Sequence, residues 1–203
     1  MRGAVLAGGA ASRFDGRPKG LEQVGGTRIL DRVIRAVKEA TGDIPLLIAN
    51  AEDASEWQPD LKVIRDAIRD CGSLGGIYTA LSAGEGPVLA VAWDMPFVSA
   101  DLLKALIRRS GSFDAVLPES RGEEEVSLEP LCAVYGPGCL APIRHRLADE
   151  DFRVQGFLDS VKLGKLSCEE VQDFGDPATM FFNVNTPEDL KQAEELWRDL
   201  YQR

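Results

Sequence analysis

LAGGAASRFDGRPK, residues 6–19, follows directly on a short apolar run at the beginning of the chain. Two adjacent glycines, Gly8 and Gly9, let a backbone that leaves a strand approach a ligand closely and turn its N–H groups toward phosphate oxygens. The same loop supplies three cationic groups that bind phosphate well, on Arg13, Arg17 and Lys19. We therefore predict a phosphate-binding loop, with a solvated surface turn as the alternative. The loop matches neither GxxxxGK[ST] nor GxGxxG, so it is not a Walker A or dinucleotide-binding sequence.

Short apolar runs recur along the rest of the chain, and helical patterns separate them. The predicted strands are residues 4–7, 45–49, 62–65, 88–93, 115–117 and 131–135. Several of these runs are continuously apolar, which is typical of parallel strands covered by helices on both faces. The pattern predicts an α/β fold, a three-layer α/β/α sandwich around a Rossmann-like, mostly parallel sheet. We expect residues 1–203 to form a single domain.

Three helices are predicted from capping residues and apolar spacing. One presents an apolar face over residues 29–37 and ends near residues 41–42. A second begins after Ser99, which can act as its N-cap. The last has Thr186 as N-cap and Asp189 three residues further on, the spacing of a capping box. Its predicted apolar stripe consists of Leu190, Ala193, Leu196, Trp197 and Leu200.

Composition and charge exclude several classes of function. A net charge of −10 argues against binding to nucleic acid, which depends on clustered Lys and Arg. No apolar run approaches the roughly 18 residues that span a bilayer, and the N-terminus leaves no room for a signal peptide, so we predict a cytoplasmic protein without membrane contact. The single histidine, His145, argues against a catalytic triad and a zinc site. We expect buried, reduced thiols at Cys71, Cys132, Cys139 and Cys168.

Polar residues at the ends of the predicted strands are the next candidates, because ligands of open α/β sheets bind at the carboxyl ends of the strands. Asp94 follows the strand 88–93 and precedes Met95-Pro96. A carboxylate on such a proline-fixed turn suits Mg²⁺, a hard cation that prefers oxygen ligands. A turn-forming role for Asp94 is the alternative.

Other strand ends carry weaker signals. Asn50 and Asp66 each follow a strand, and residues 72–76, GSLGG, open the next helix, where free N–H groups could face a nucleotide. Asn183 and Asn185 lie just before the last helix. For the single residues among these, turn or capping roles explain the sequence equally well. The charged stretch 119–129 is predicted to be a loop beside the active site.

Taken in order, these segments resemble the nucleoside-triphosphate transferases with a Rossmann-like fold, specifically the molybdenum cofactor guanylyltransferase (MobA-like) branch. The likeness covers nearly the whole chain. It rests on LAGGx3Rx5K from residue 6, Asp66 after its strand, GSLGG at 72–76, DMPF at 94–97 and FNVNTP at 182–187. Residues 14–16, FDG, depart from the family's usual spacing, and the acidic stretch 119–125 is unusual for a surface that receives a phosphorylated pterin.

The resemblance implies a sandwich of the nucleotide-diphospho-sugar transferase type and transfer of GMP from GTP to molybdopterin, with release of pyrophosphate. It implies that Asp94 is the Mg²⁺ ligand and that Lys19 and Arg13 act on the phosphates. Asn183 and Asn185 would lie on the acceptor side. The nucleotide-binding set would comprise Leu6, Ala7, Gly8, Gly9, Lys19, Asn50, Asp66, Gly75 and Asp94.

The implied partners are GTP and a molybdopterin acceptor, with transient contact to molybdoenzyme apoproteins or insertion factors, for a monomer or weak oligomer. Because a phosphate acceptor is already a nucleophile, no general base is needed, which fits a chain with one histidine. Three alternatives remain open: cytidylyl transfer from CTP, a sugar-phosphate acceptor, and a non-catalytic nucleotide-binding or cofactor-delivery protein.

Overall fold

The computed structural model describes residues 1–8, 18–122 and 125–202. Within them, one large sheet holds eight strands in the order β10-β7-β9-β6-β1-β4-β5, with β8 paired to β7, and β2 and β3 form a separate hairpin. The strands are β1 Arg2–Ala7, β2 Gln23–Val24, β3 Thr27–Arg28, β4 Leu46–Ala49, β5 Val63–Ile64, β6 Val88–Ala92, β7 Ala115–Arg121, β8 Val126–Leu128, β9 Cys132–Tyr135 and β10 Leu163–Leu166.

Helices cover both faces of this sheet. They are α1 Ile29–Thr41, α2 Ala54–Trp57, α3 Gly72–Ser82, α4 Ala100–Arg109, α5 Leu140–Ala148, α6 Cys168–Gln172, α7 Pro177–Met180 and α8 Pro187–Tyr201. One apolar cluster joins the sheet to α1, α4, α6 and α8, and a second joins the opposite face to α3 and α5. The predicted three-layer α/β/α sandwich is confirmed.

The central strand β1 explains why the sequence folds this way. Val5 and Ala7 belong to the cluster on one face, and Ala4 and Leu6 to the cluster on the other. Because both sets are apolar, neither face of the strand tolerates water, and helices must cover both. β1 pairs in parallel with β4 and with β6.

The predicted helix boundaries are confirmed where capping chemistry set them. α1 ends at Gly42, whose φ of 80° is the left-handed conformation that glycine adopts without strain. The Ser99 side chain accepts a hydrogen bond from Leu102 N at 3.4 Å at the start of α4. Thr186 and Asp189 form a reciprocal capping box at the start of α8.

Four features differ from the sequence predictions. Residues 119–129 are not a simple loop, because β7 continues to Arg121 and pairs antiparallel with β8. β9 runs antiparallel between β6 and β7, which breaks the parallel order of the sheet. Leu200, predicted to lie on the apolar stripe of α8, is 53% exposed. β10, with its mixed sequence LGKL, was not predicted.

The predicted thiols are confirmed: Cys71, Cys132, Cys139 and Cys168 are all buried and free. Burial raises the pKa of the Cys132 thiol well above its usual range and that of Cys139 to about 12. These groups are therefore protonated core residues. No helix in the described part of the chain is long and apolar enough to cross a membrane.

Candidate active site

The candidate site lies at the carboxyl edge of the central strands. β1, β4 and β6 are parallel and end side by side, with Leu6 level with Ala92 and Ala7 level with Ala49. The N–H of Trp93 donates to Leu6 O at 3.2 Å, so the two strand ends stay together as the chain turns away. Residues directly after these strands, which the sequence singled out, are therefore neighbours.

Asp94 is held at this edge by its backbone and by two distant segments. It is only 8% exposed, and its carbonyl accepts a hydrogen bond from Val184 N at 2.9 Å. Its Oδ2 forms a short ion pair with the ammonium group of Lys19. The same ammonium donates to Asn185 Oδ1 at 2.7 Å. Three motifs far apart in the sequence thus meet at one cation.

Packing beneath Lys19 explains its position. Gly20 lies against the indole of Trp93, so closely that a Cβ on Gly20 would be 2.3 Å from Trp93 Cε3. Trp93 in turn stacks on Trp57, with ring centroids 5.2 Å apart and planes 19° from parallel. Gly20 has no side chain to separate it from this aromatic pair. The segment with Lys19 therefore packs directly against Trp93, the residue before Asp94.

The donor set at Asp94 fits a divalent cation. Its Oδ1 is buried and has no hydrogen-bond partner among the residues that the structure describes. A buried carboxylate oxygen left unpaired is costly unless something binds it, and Mg²⁺ commonly takes one or two carboxylates and completes its shell with phosphates and water. Within the described ranges there is no cluster of three or more acidic, His or Cys ligands. Asp94 thus supplies a carboxylate oxygen that fits Mg²⁺.

Asn50 and Asp66 form a second polar pair at this edge. Asn50 Nδ2 donates to Asp66 Oδ2 at 2.7 Å, and Asp66 N donates back to Asn50 Oδ1 at 2.9 Å. These bonds lock together the chain segments that leave β4 and β5. Asp66 Oδ1 is buried without a hydrogen-bond partner in the described part of the chain. A Cβ on Gly76 would lie 3.9 Å from this atom, so Asp66 Oδ1 faces α3.

Helix α3 begins beside this pair, as predicted from GSLGG. Gly72 has a φ of 57°, which favours glycine, and both Gly72 and Ser73 are exposed at the first turn. Gly75 is buried, and its N–H donates to Cys71 O at 3.2 Å. A Cβ on Gly75 would lie 2.9 Å from the Cβ of Cys71, so this glycine serves the packing of the helix. Its assignment to the nucleotide stays a prediction.

Asn183 and Asn185 make different contacts. Asn185 contacts Lys19, whereas Asn183 Nδ2 donates to Phe181 O at 2.8 Å within its own turn. Both side chains are partly exposed. The structure thus brings Asn185 directly to the Lys19–Asp94 pair, whereas the side chain of Asn183 binds its own turn.

A cleft of about 550 Å³ opens between the start of α3 and the beginning of β9, and no sequence pattern indicated it beyond its individual arginines. Its lining comprises Ser73, Pro130, Leu131, Arg146, Arg153, Val154, Gln155, Gly156 and Asp159. Leu131 O accepts a hydrogen bond from Ala92 N at 2.8 Å, which places this wall of the cleft two residues from Asp94.

Two guanidinium groups of this cleft share one carboxylate. Asp151 accepts hydrogen bonds from Arg153 Nε at 2.9 Å and Nη2 at 3.0 Å, and from Arg146 Nη1 at 3.1 Å. The bonds from Arg153, with a smaller contribution from Arg146, lower the pKa of Asp151 to about 2. Asp159 also lines the cleft, so its two guanidinium groups are balanced by two carboxylates, those of Asp151 and Asp159.

Several predicted residues lie outside the described part of the chain. They are Gly9, Arg13, Arg17 and the Asp15-Gly16 pair of the loop, and Glu123 and Glu124 of the acidic stretch. Of the other loop residues, Leu6 and Ala7 are buried at the end of β1, and Gly8 is exposed directly after it. Roles for all of these in nucleotide binding stay predictions.

Comparison with known proteins agrees with this geometry. Residues 3–163 match the family model described as the MobA-like NTP transferase domain. A probable molybdenum cofactor guanylyltransferase of Pelotomaculum thermopropionicum is 34% identical over 192 residues, which cover 94% of this chain and 90% of that protein.

Two solved structures illustrate the range of similar folds. The molybdopterin-guanine dinucleotide biosynthesis protein A of Archaeoglobus fulgidus superimposes with a TM-score of 0.80 at 26% identity, over 98% of this chain and 100% of that one. A 4-diphosphocytidyl-2C-methyl-D-erythritol synthase of Anaerococcus prevotii superimposes with a TM-score of 0.70 at 15% identity, over 97% and 95%. The second likeness concerns the fold alone.

Proposed function

The chain belongs to the MobA-like NTP transferase family and is a nucleotidyltransferase, and on that basis we propose that it transfers GMP from GTP to molybdopterin and releases pyrophosphate. The observation that carries the proposal is the contact of Lys19 with both Asp94 and Asn185. It joins the nucleotide loop, the metal-binding candidate and the acceptor-side motif at one point. The names of the relatives, molybdenum cofactor guanylyltransferases, support the choice of nucleotide and acceptor.

The proposed reaction is an in-line displacement at the α-phosphorus of GTP. A phosphate oxygen of the acceptor forms the new P–O bond, and the bond to the bridging oxygen of the β-phosphate breaks as pyrophosphate leaves. The acceptor phosphate is already an anion, so no residue has to remove a proton. Catalysis then consists of orientation and of stabilising the charge that develops on the phosphates.

Lys19 is the residue proposed to stabilise that charge, with Arg13 as a second cation. Asp94 would hold Mg²⁺, which neutralises and orients phosphate oxygens when bound. Its unpartnered, buried Oδ1 supports this assignment. Because Lys19 already contacts Asp94, the ammonium group lies next to the place where metal-bound phosphates would arrive.

The two ends of the substrate pair would bind on opposite sides of Asp94. We assign the nucleoside of GTP to the side of Asn50 and Asp66, where two hydrogen bonds fix these polar side chains after β4 and β5. The acceptor would bind on the side of Asn183 and Asn185.

The decisive experiment incubates the protein with Mg²⁺, molybdopterin and each of GTP, CTP, ATP and UTP in turn. We expect pyrophosphate and a guanine dinucleotide product with GTP, at a rate well above that with the other three. Preference for CTP would replace guanylyl by cytidylyl transfer. Tight GTP binding with no pyrophosphate in the presence of acceptor would replace the enzyme by a nucleotide-binding or delivery protein. Turnover only with a sugar phosphate would exclude the proposed acceptor.

A further inference from the structure

Helix α8 reaches the segment that carries Lys19 at two separate points. The first is at its N-terminus, where Asn185 Oδ1 accepts the hydrogen bond from Lys19 Nζ at 2.7 Å. Asn185 is itself fixed by the helix, because Asp189 Oδ2 accepts from the N–H of Asn185 and from that of Thr186, each at 2.8 Å. A capping box requires only the bond to Thr186. The bond to Asn185 is additional.

The second point is near the middle of the helix. Glu194 Oε1 accepts from the N–H of Gly25 at 2.9 Å, and Gly25 lies flat on the indole of Trp197. Gly25 and Gly26 have φ values of 58° and 72°, the left-handed pair that turns the β2–β3 hairpin. A Cβ on Gly25 would lie 2.1 Å from Trp197 Cε2, so only glycine permits this contact.

A short, bonded path connects that hairpin to Lys19. Glu22 N donates to Lys19 O at 3.2 Å, and Ile29 N donates to Glu22 O at 3.0 Å, which closes the base of the hairpin. Arg32 Nε donates to Val24 O at 3.0 Å and secures one strand. The segment from Lys19 to Ile29 is therefore a hydrogen-bonded unit. Helix α8 contacts it at the tip of the hairpin, through Gly25, and the residue just before α8 contacts it at the other end, through Lys19.

We propose that Asp189 and Glu194 are positioning residues for the transfer reaction, which hold Lys19 and Asn185 in register across the site. The inference rests on the proposed function for its reaction and adds two residues that touch neither Lys19 nor Asp94. Asp189 fixes the backbone from which Asn185 reaches Lys19. Glu194 fixes the hairpin from which Lys19 itself extends.

The physical basis is the steep dependence of electrostatic catalysis on geometry. A cation that stabilises developing charge must stay in place during the reaction, and a displacement of about 1 Å can cost on the order of 100-fold in rate. Lys19 has a long, rotatable side chain, so its precision comes from the backbone that carries it and the partners that receive it. Glu194 of α8 binds the backbone of the hairpin, and Asn185, just before α8, receives the ammonium group.

The test compares three positioning variants with one structural control. Glu194→Ala and Asp189→Ala remove the acceptors, whereas Glu194→Gln keeps an oxygen that can accept from Gly25. Thr186→Ala removes the side-chain cap of α8 but leaves the hydrogen bond that the N–H of Asn185 donates to Asp189. We expect kcat to fall about 10-fold in both alanine variants and to stay within about 2-fold of wild type in Glu194→Gln and Thr186→Ala, relative to folded protein.

A second measurement does not depend on the nucleobase or the acceptor. Calorimetric binding of inorganic tripolyphosphate should weaken several-fold in Glu194→Ala and Asp189→Ala and remain unchanged in Thr186→Ala. If the alanine variants lose only thermal stability, and match Thr186→Ala in kcat and in tripolyphosphate binding, the positioning role is wrong. If wild type gives no transfer with any nucleotide, while the variants still lose tripolyphosphate binding, positioning stands and the proposed function fails.

Discussion

The ammonium group of Lys19 lies 2.7 Å from Asn185 Oδ1, although 166 residues separate the two in the chain. Lys19 ends the predicted phosphate-binding loop, and Asn185 precedes the last helix. Their contact means that segments near the beginning and the end of the chain share one cation. A substrate that enters this site from either side meets the positive charge of Lys19. Lys19 is therefore the first residue to test.

Lys19→Ala and Asp94→Ala should each lower turnover by more than ~100-fold, because one charged partner of the phosphates is lost. Steady-state pyrophosphate release measures the effect. Lys104→Ala is a matched control, since Lys104 forms exposed ion pairs with Glu39 and Asp101 far from the site. Near-normal rates in both site variants would remove Lys19 and Asp94 from the mechanism.

Lys19→Met should increase the affinity of the protein for Mn²⁺ alone by ~10-fold or more, because the ammonium group now paired with Asp94 repels a second cation. Electron paramagnetic resonance of free Mn²⁺, without nucleotide, measures this directly. The double variant Lys19→Met with Asp94→Asn should lose the gain. Equal Mn²⁺ affinity in wild type and Lys19→Met would contradict a metal site on Asp94.

Gly20→Ala should destabilise the fold by about 1–3 kcal/mol, because its Cβ meets an indole that cannot retreat. Trp93 is 4% exposed and stacked on Trp57, so the strain falls on the segment with Lys19. Gly111→Ala is the control, since a Cβ there meets no atom within 4 Å. Chemical denaturation checks the difference, and an unchanged free energy of unfolding in Gly20→Ala would show that the close approach to Trp93 is not tight.

Asp66→Ala should raise KM for the nucleotide about 10-fold with a smaller change in kcat, the scale of one lost hydrogen bond to a charged group. It removes both the free Oδ1 and the partner of Asn50. Asp60 is an exposed residue that precedes β5, whereas Asp66 follows it. Asp60→Ala should leave KM unchanged. A loss confined to kcat would instead place Asp66 in the chemistry.

Asp151→Asn should lower the melting temperature at neutral pH and lose this effect in acid. The hydrogen bonds from Arg153 lower the pKa of Asp151 from 3.8 to about 2, so the carboxylate stabilises the fold above about pH 4. That contribution is lost progressively as the pH falls from about 4 through 2, and below 2 the group is protonated in both states. Thermal melts of wild type and variant from pH 7 to pH 2 give the curve. A constant difference across this range would contradict it.

The sequence predicted the parts of the site that follow general rules of the fold. Asp94 and Asp66 were found because ligands bind where parallel strands end, and Lys19 because its loop is rich in glycine and cations. The contact between Lys19 and Asn185 was not predictable, because it depends on how α8 packs on the sheet. The support of Gly20 by Trp93 was hidden for the same reason.

Edge elements were predicted least well. β10 has the mixed sequence LGKL, and Phe113 lies so close to Gly164 that a Cβ there would be 2.7 Å from the ring. Nothing in LGKL signals that neighbour. Residues 119–129 are charged because β7 and β8 leave the core together, so their strand pairing has no apolar pattern. The sequence did not indicate that Arg146 and Arg153 are neighbours, and the structure places both in one cleft.

The reversed strand β9 has a consequence for how such a domain can evolve. Because β9 runs against its neighbours, its first residues meet the last residues of β6 at the same edge of the sheet. The cleft is thus lined by the start of α3, which comes early in the chain, and by the beginning of β9, which comes late. Substitutions at residues 130–159 can reshape this cleft while the strands that precede Asn50, Asp66 and Asp94 stay untouched. The shape of the cleft can therefore change without any change in the residues proposed to bind the metal and the nucleotide.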